Sequence, residues 1–288
     1  MNKLQYLFDS TLHYFSDKSC PYCGYNELKV VDKKFLVTTL YECQNCKLYF
    51  RHPKDTVEQN RKFYQKAYTQ KDNITTDLPS EEALSLLLKN NFGGTAKDYT
   101  DRINFIKKLV NRPNPSIIDF GANWGYTSYQ LKSQGFEVQA YEISESRAAF
   151  GQKLGIDIQT KLENLDGDVD VFFNAHVIEH LPNIKQMFLL AQRLLKEDGL
   201  IVIYCPNGAD EFRFKHPDNF HKLWGQVHSN YLNDRFFKFV FRDVPYLIGS
   251  SSISSNRVAQ EWDLTSQMCL DLTGDELFAI AKIKKQGF

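Results

Sequence analysis

The chain has 288 residues, 35 Lys+Arg against 35 Asp+Glu, and 42% hydrophobic residues. That length bounds it to two domains at most, and the apolar content suffices for a sizeable core. The balanced charge argues against a protein that tracks nucleic-acid phosphates. No apolar run approaches the roughly 18 residues that span a bilayer, and the start MNKLQYLFDSTLHYF lacks the features of a signal peptide. A cytoplasmic protein without a membrane partner is expected.

The first 55 residues form one compositional unit. Cys20-Pro-Tyr-Cys23 and Cys43-Gln-Asn-Cys46 bracket a branched and aromatic stretch, Leu28 to Tyr41, that reads as a β-hairpin. Two Cys-x2-Cys pairs around a hairpin match a four-cysteine zinc ribbon, with Gly24 and Lys47 following each pair on a tight knuckle. Four sulfur ligands leave zinc no open position, so such an ion is structural. A redox pair is the alternative, and it explains one CxxC but not two flanking a hairpin.

Helices are expected over Val57–Tyr68, from Ser80 as N-cap to Gly93, and over Asp98–Val110, with a polar stretch from Asp72 to Pro79 between the first two. From Ser116 strands and helices alternate. Strands are expected at Ile117–Phe120, Glu137–Glu142, Ile156–Ile158, Val169–Asn174 and Leu200–Cys205. Helices follow the glycine turn after Phe120, Ser144 and Ile184, and another lies near Asn233–Phe241. Two closing strands fall near Tyr246–Ile253 and Glu276–Lys284. This rhythm predicts an α/β fold with a Rossmann-like, mostly parallel seven-stranded sheet. The expected division is a ribbon (1–55), a helical linker or lid (56–112) and a ligand-binding α/β domain (113–288).

Asp119-Phe-Gly-Ala-Asn-Trp-Gly125 follows a strand and opens a helix, where a glycine turn lets backbone approach a ligand. Asn123 stands where a glycine is expected midway and tolerates left-handed backbone. Glu142 ends the next strand about 20 residues on, placed to accept hydrogen bonds from ribose hydroxyls. With IIDFGANWG, AYEIS, VDVFFNAHVIEHLPN and DGLIVIYCPN, the stretch from Ile103 to Lys285 resembles the class I S-adenosylmethionine-dependent methyltransferases. The resemblance implies a crevice lined by Asp119, Gly121, Asn123, Gly125, Glu142, Ile143 and Asn174. Asp119 would orient the methionine portion and Glu142 would hold the ribose. The family's adenine-contacting Asp aligns with Lys161, which leaves the adenine to the backbone of Leu162. A nicotinamide-binding domain is the rival, and it predicts Gly-x-Gly-x-x-Gly rather than Gly121-x-x-x-Gly125.

Ligands of open α/β sheets gather at the carboxyl ends of strands, and the fourth strand ends in Asn174-Ala-His-Val-Ile-Glu-His-Leu181. Its last residues look like the EHL/EHV signature of small-molecule methyltransferases. His180 is thus the first candidate base, with a histidine packed at a strand-to-helix turn as the alternative. His176 and His228 are further candidates for the acceptor pocket, and Glu179 is read as supporting a helix start. Cys205 is read as a buried small residue rather than a nucleophilic thiol.

A CxxC-x19-CxxC ribbon on such a domain resembles bacterial enzymes that methylate sugars, sugar nucleotides or other precursors of surface polysaccharides and secondary metabolites. Those with a GSNDG-like turn, to which GANWG is similar, add a C-terminal sugar domain. Its absence from this shorter sequence favours an oxygen or nitrogen acceptor over carbon. A zinc-ribbon RNA methyltransferase and a non-catalytic S-adenosylmethionine-binding module are the competing expectations. Oligomeric state has no signature in the sequence.

Overall fold

The protein is described here by a computed structural model covering residues 3–67, 77–251 and 261–284. Tyr68, most of the polar stretch from Asp72, Ile253 and Lys285 lie outside the described residues. The N-terminal half holds α1 (Lys3–Leu12), β1 (Leu28–Lys34), β2 (Thr38–Cys43), β3 (Tyr49–His52), α2 (Val57–Ala67), α3 (Glu81–Lys89) and α4 (Thr100–Val110). There follow β4 (Ser116–Phe120), α5 (Tyr126–Ser133), β5 (Glu137–Tyr141), α6 (Glu145–Gly151), β6 (Ile158–Gln159), β7 (Val169–Ala175), α7 (Ile184–Leu194) and β8 (Leu195–Pro206). The chain continues with α8 (Asp210–Lys215), α9 (Pro217–Leu223), β9 (Asn230–Tyr231), α10 (Asp234–Val240), β10 (Tyr246–Ser250), β11 (Gln267–Cys269) and β12 (Glu276–Lys282).

The main sheet has the order β11-β10-β12-β8-β7-β4-β5-β6. Strands β6, β5, β4, β7 and β8 run parallel, and β12 lies antiparallel between β8 and β10. The sheet has eight strands where seven were expected. The extra one, β11, is three partly exposed residues on the outer edge beside β10, too short to carry an alternating pattern.

The central strands are buried on both faces, which explains their unbroken apolar runs. Ile117, Val171, Phe173 and Val202 pack on one face against Ile103, Ile106 and Leu109 of α4 and Leu131 of α5. Ile118, Phe172, Ile201 and Ile203 pack on the other against Met187, Phe188 and Ala191 of α7 and Phe236 of α10. Within the stretch 56–112, α4 covers the sheet because its apolar residues fall on one stripe, with Arg102 and the preceding Tyr99 at the cavity described below, and α2 borders that cavity through Asn60 and Tyr64.

The ribbon is joined to the sheet domain by shared structure. β3 pairs with β9, Tyr49 opposite Tyr231 and Phe50 opposite Asn230, so a four-stranded sheet β1-β2-β3-β9 spans both. Cys20, Cys43, Cys46 and Phe50 belong to the same buried cluster as Phe188 and Phe236. The Tyr22 ring meets those of Phe188, Phe236 and Phe239 edge-on at 5.9, 5.1 and 6.5 Å. Among the described residues no helix is long and apolar enough to cross a membrane.

Candidate active site

The four cysteines Cys20, Cys23, Cys43 and Cys46 are all unpaired thiols whose sulfurs lie within 4.8 Å of one another. Two knuckles of the same geometry present them. Gly24 N donates to Cys20 O and Lys47 N to Cys43 O, and Gly24 and Lys47 both have left-handed backbone, with φ 74° and 65°. The cross pairs Cys20–Cys46 and Cys23–Cys43 stand 3.5 Å apart. Zn–S bonds of about 2.3 Å imply tetrahedral edges of about 3.8 Å, so the four sulfurs fit one zinc ion.

At the carboxyl ends of the strands lies one cavity of about 1420 Å³. Its first end is the turn after β4. Gly121 (φ 86°) and Ala122 both donate their N–H to Tyr141 O at 2.8 Å, which tucks the turn under β5. A Cβ on Gly121 would stand 2.2 Å from Val177 Cγ2, so only glycine fits. Asn123 holds φ 56° as expected, and Arg147 on the inner face of α6 donates to its side-chain oxygen. Glu142 is nearly buried. Its Oε2 accepts from Asn123 N at 3.0 Å and its Oε1 from Ser144 N at 2.8 Å, which fixes the carboxylate against the turn.

The sequence candidates divide at this end. Gly121, Asn123, Glu142, Ile143 and Leu162 line the cavity, while Asp119, Gly125 and Asn174 stand behind it. Asp119 is buried and accepts from Ser128 Oγ at 2.6 Å. Burial, with the nearby Glu142 charge, pushes its carboxyl up to about 6, and burial likewise raises Glu142. Gly125 caps α5 with φ 88° and packs close to Ile158. Asn174 braces the next turn, its Oδ1 accepting from Ile178 N at 3.3 Å.

The second end is built by segments distant in sequence. His180, on the turn after β7, lies against His228, their ring centroids 4.8 Å apart, with Tyr64 of α2 at 5.9 Å. The Val227 carbonyl stands 2.9 Å from His180 Nδ1, so Nδ1 carries the proton and Nε2 presents a lone pair. Burial drives His180 down to about 4, against the pull of Glu179, so the ring is neutral at physiological pH. His228 Nδ1 likewise donates to a carbonyl, that of Leu223. His176, in left-handed backbone at φ 55°, sits between carboxylates of Glu276 and Glu179 at 2.6 and 3.4 Å. Nε2 is hydrogen-bonded to Glu276 and Nδ1 faces Glu179 as an ion pair, so the two carboxylates favour a protonated ring, which has no lone pair to act as the base. Cys205 is buried, and burial raises its thiol far above the usual range, as a packing residue requires.

Glu179 departs from its expected role. Its side chain is fully buried, and neither oxygen has a hydrogen-bond partner among the described residues. Sequence reasoning also missed Asn60 and Gln65, which reach from α2 to His180 O and Ile143 O, each at 2.8 Å. Polar residues on a surface-like helix carry no signal of such contacts. The same holds for Lys33–Phe35 at the hairpin tip, which line the far wall although they belong to the ribbon.

The family profile described as "Methyltransferase domain" matches residues 93–244, more than half of the chain. The chain belongs to the methyltransferase-domain family. This bears out the resemblance read from GANWG, AYEIS, VDVFFNAHVIEHLPN and DGLIVIYCPN. Ubiquinone biosynthesis O-methyltransferase of Rickettsia typhi (strain ATCC VR-144 / Wilmington) is 33% identical over 100 residues, 32% of this chain and 41% of that protein. Its counterpart in Hydrogenovibrio crunogenus (strain DSM 25203 / XCL-2) is 23% identical over 121 residues, 38% of this chain and 50% of that protein. The chain thus spans half or less of the curated relatives it matches. The plantazolicin methyltransferase BpumL, solved with a pentazolic desmethylPZN analog and SAH, superposes with a TM-score of 0.50 at 13% identity, over 79% of this chain and 96% of that one. At that identity the likeness is one of fold.

Proposed function

We propose that the protein transfers a methyl group from S-adenosylmethionine to a hydroxyl or amine of a small molecule, a sugar or another precursor of surface polysaccharides or secondary metabolites. The observation that carries this reading is the single cavity with a glycine turn and Glu142 at one end and the His180–His228 pair at the other. A pocket for one small ligand is commonly about 300–1,000 Å³, so this one has room for cofactor and acceptor together.

S-adenosylmethionine would supply a methyl on a positively charged sulfur. Around it, Glu142 would hold the ribose hydroxyls, and Leu162 would meet the adenine. Asp119, behind the turn, would face the methionine portion. Two buried carboxyls with raised pKa values favour a cationic ligand, because a nearby positive charge stabilises both ionised forms. His180 Nε2 would take the acceptor's proton as its lone pair attacks, a contribution of roughly 10²–10⁴ in rate. Asn60 would fix the His180 backbone, and α2 would exclude water. One zinc ion on the four cysteines would hold the ribbon and so the hairpin tip that borders the acceptor.

The test is a screen of sugar phosphates, sugars and small amines for S-adenosylhomocysteine formation. An acceptor from those classes supports the reading. Equilibrium binding that prefers NAD to S-adenosylhomocysteine overturns it.

A further inference from the structure

A row of alternating charge runs from the cofactor wall to the acceptor end. Arg102 of α4 has its guanidinium 4.5 and 4.8 Å from the Tyr99 and Tyr204 rings, and its Nη2 reaches both Glu276 oxygens at 2.6 and 2.8 Å. Glu276, opening β12, stands 2.6 Å from His176 Nε2. His176 Nδ1 lies 3.4 Å from Glu179 Oε1, and the same oxygen lies 3.8 Å from His180 Nε2. Glu276 Oε1 accepts from His176 Nε2, and Nδ1 faces Glu179 Oε1 across an ion-pair distance rather than a hydrogen bond, so the two flanking carboxylates favour the imidazolium form of the ring. The order is Arg102 positive, Glu276 negative, His176 positive, Glu179 negative, His180 neutral.

Only the last member can change its charge without disturbing the others. A buried carboxylate with no hydrogen-bond partner among the described residues is costly unless nearby charge repays it. His176 does so on one side. On the other, a proton arriving at His180 Nε2 would create a cation in direct reach of Glu179. We propose that Glu179 is a positioning residue that makes His180 a stronger base toward the acceptor, and that His176 is the fixed cation that keeps Glu179 ionised. This rests on the reading of His180 as base. In the step, the acceptor's O–H or N–H bond breaks as Nε2–H forms. The acceptor's lone pair bonds the methyl carbon, and the S–CH3 electron pair stays on sulfur. The imidazolium later releases its proton to water.

The electrostatics agree. Against the burial that lowers it, Glu179 and Glu276 hold His176 up at about 10. Against the burial that raises it, His176, His180 and His228 hold Glu179 down at about 2. The groups facing His180 are Glu179, His228, Tyr64 and, further off, His176. Those facing His176 are Glu179, Glu276 and, through Glu276, Arg102.

Long-range nitrogen–proton NMR of the histidine rings in the full chain tests this without an acceptor. At about pH 8, His176 is expected to be doubly protonated and His180 neutral with its proton on Nδ1. In turnover, Glu179→Gln is expected to lose roughly 10–100-fold with S-adenosylhomocysteine affinity changed less than about twofold. His176→Asn, which tolerates the left-handed backbone, should move the acid limb of the pH–rate profile up by about one unit or more, since Glu179 then protonates more easily. His176→Gly should regain turnover with added imidazole. A neutral His176 at about pH 8 overturns the proposal even if no variant folds. Full turnover in Glu179→Gln overturns it while His180→Ala remains inactive. An active His180→Ala instead overturns the base assignment beneath it.

Discussion

The two ends of the cavity are built on different plans. The cofactor end is made of backbone: the Asp119–Gly125 turn, two N–H groups on Tyr141 O, and one carboxylate clamped by two further N–H groups. All of it comes from 26 consecutive positions, 119 to 144. The acceptor end is made of side chains from the hairpin tip, α2, the turn after β7 and the loop after α9. A backbone site is specified by where glycines and strand ends fall, and so suits a ligand common to a whole family. A side-chain site drawn from many segments can change with single substitutions, which suits a ligand particular to one member.

Four perturbations would break or sharpen that contrast. The largest effect is expected from Cys46→Ser or Cys43→Ser. The purified chain should carry about one zinc, and structural zinc contributes about 10–16 kcal/mol in isolated fingers. Losing it should unfold the ribbon and remove the hairpin wall, abolishing turnover while cofactor binding falls less. Metal analysis and a thermal melt check this, and protein purified without chelators but free of zinc would remove the claim. Next, His180→Ala should cut turnover at least about tenfold, towards the 10²–10⁴ range, with S-adenosylhomocysteine affinity unchanged within about twofold. Comparable losses in both would mean the ends are not separable.

Glu142→Ala should act in the opposite sense. Loss of hydrogen bonds to a charged group is worth about 1.5–3 kcal/mol, so cofactor affinity should fall by roughly 10–100-fold with turnover at saturation little changed. The smallest effect concerns pH. Asp119 is raised from 3.8 to about 6, so it is ionised above that value and protonates as the pH falls through it. A cationic ligand is attracted only by the ionised form, so S-adenosylmethionine affinity should weaken by a few-fold, below about tenfold, on the acid side. A flat titration curve from neutral pH down to about 5 would mean that Asp119 does not sense the ligand.

The same contrast explains what the sequence made legible. Periodicity and glycine turns announced the sheet, the ribbon and the crevice, because each depends on neighbours in the chain. Ser80 caps α3 through Ala83 N as its position implied, and Asn123 adopts the backbone its side chain tolerates. β9 and β11 are too short to carry a pattern, whereas α4 falls where its periodicity placed a helix, and the sheet that buries its apolar stripe comes later in the chain. The partners of His176 lie 3 and 100 residues away, and nothing in Glu276 as the first residue of a strand foretells a histidine against it. Cys-x2-Cys spacing revealed the ribbon, whereas its fusion to the sheet through Tyr49 and Tyr231 required the fold itself.

The most direct measurement is a crystal structure with S-adenosylhomocysteine. It should find the nucleoside lying across Gly121–Asn123, with its sugar hydroxyls on the Glu142 carboxylate and its sulfur directed towards His180. A nucleoside lodged elsewhere, with that crevice empty, would contradict the account.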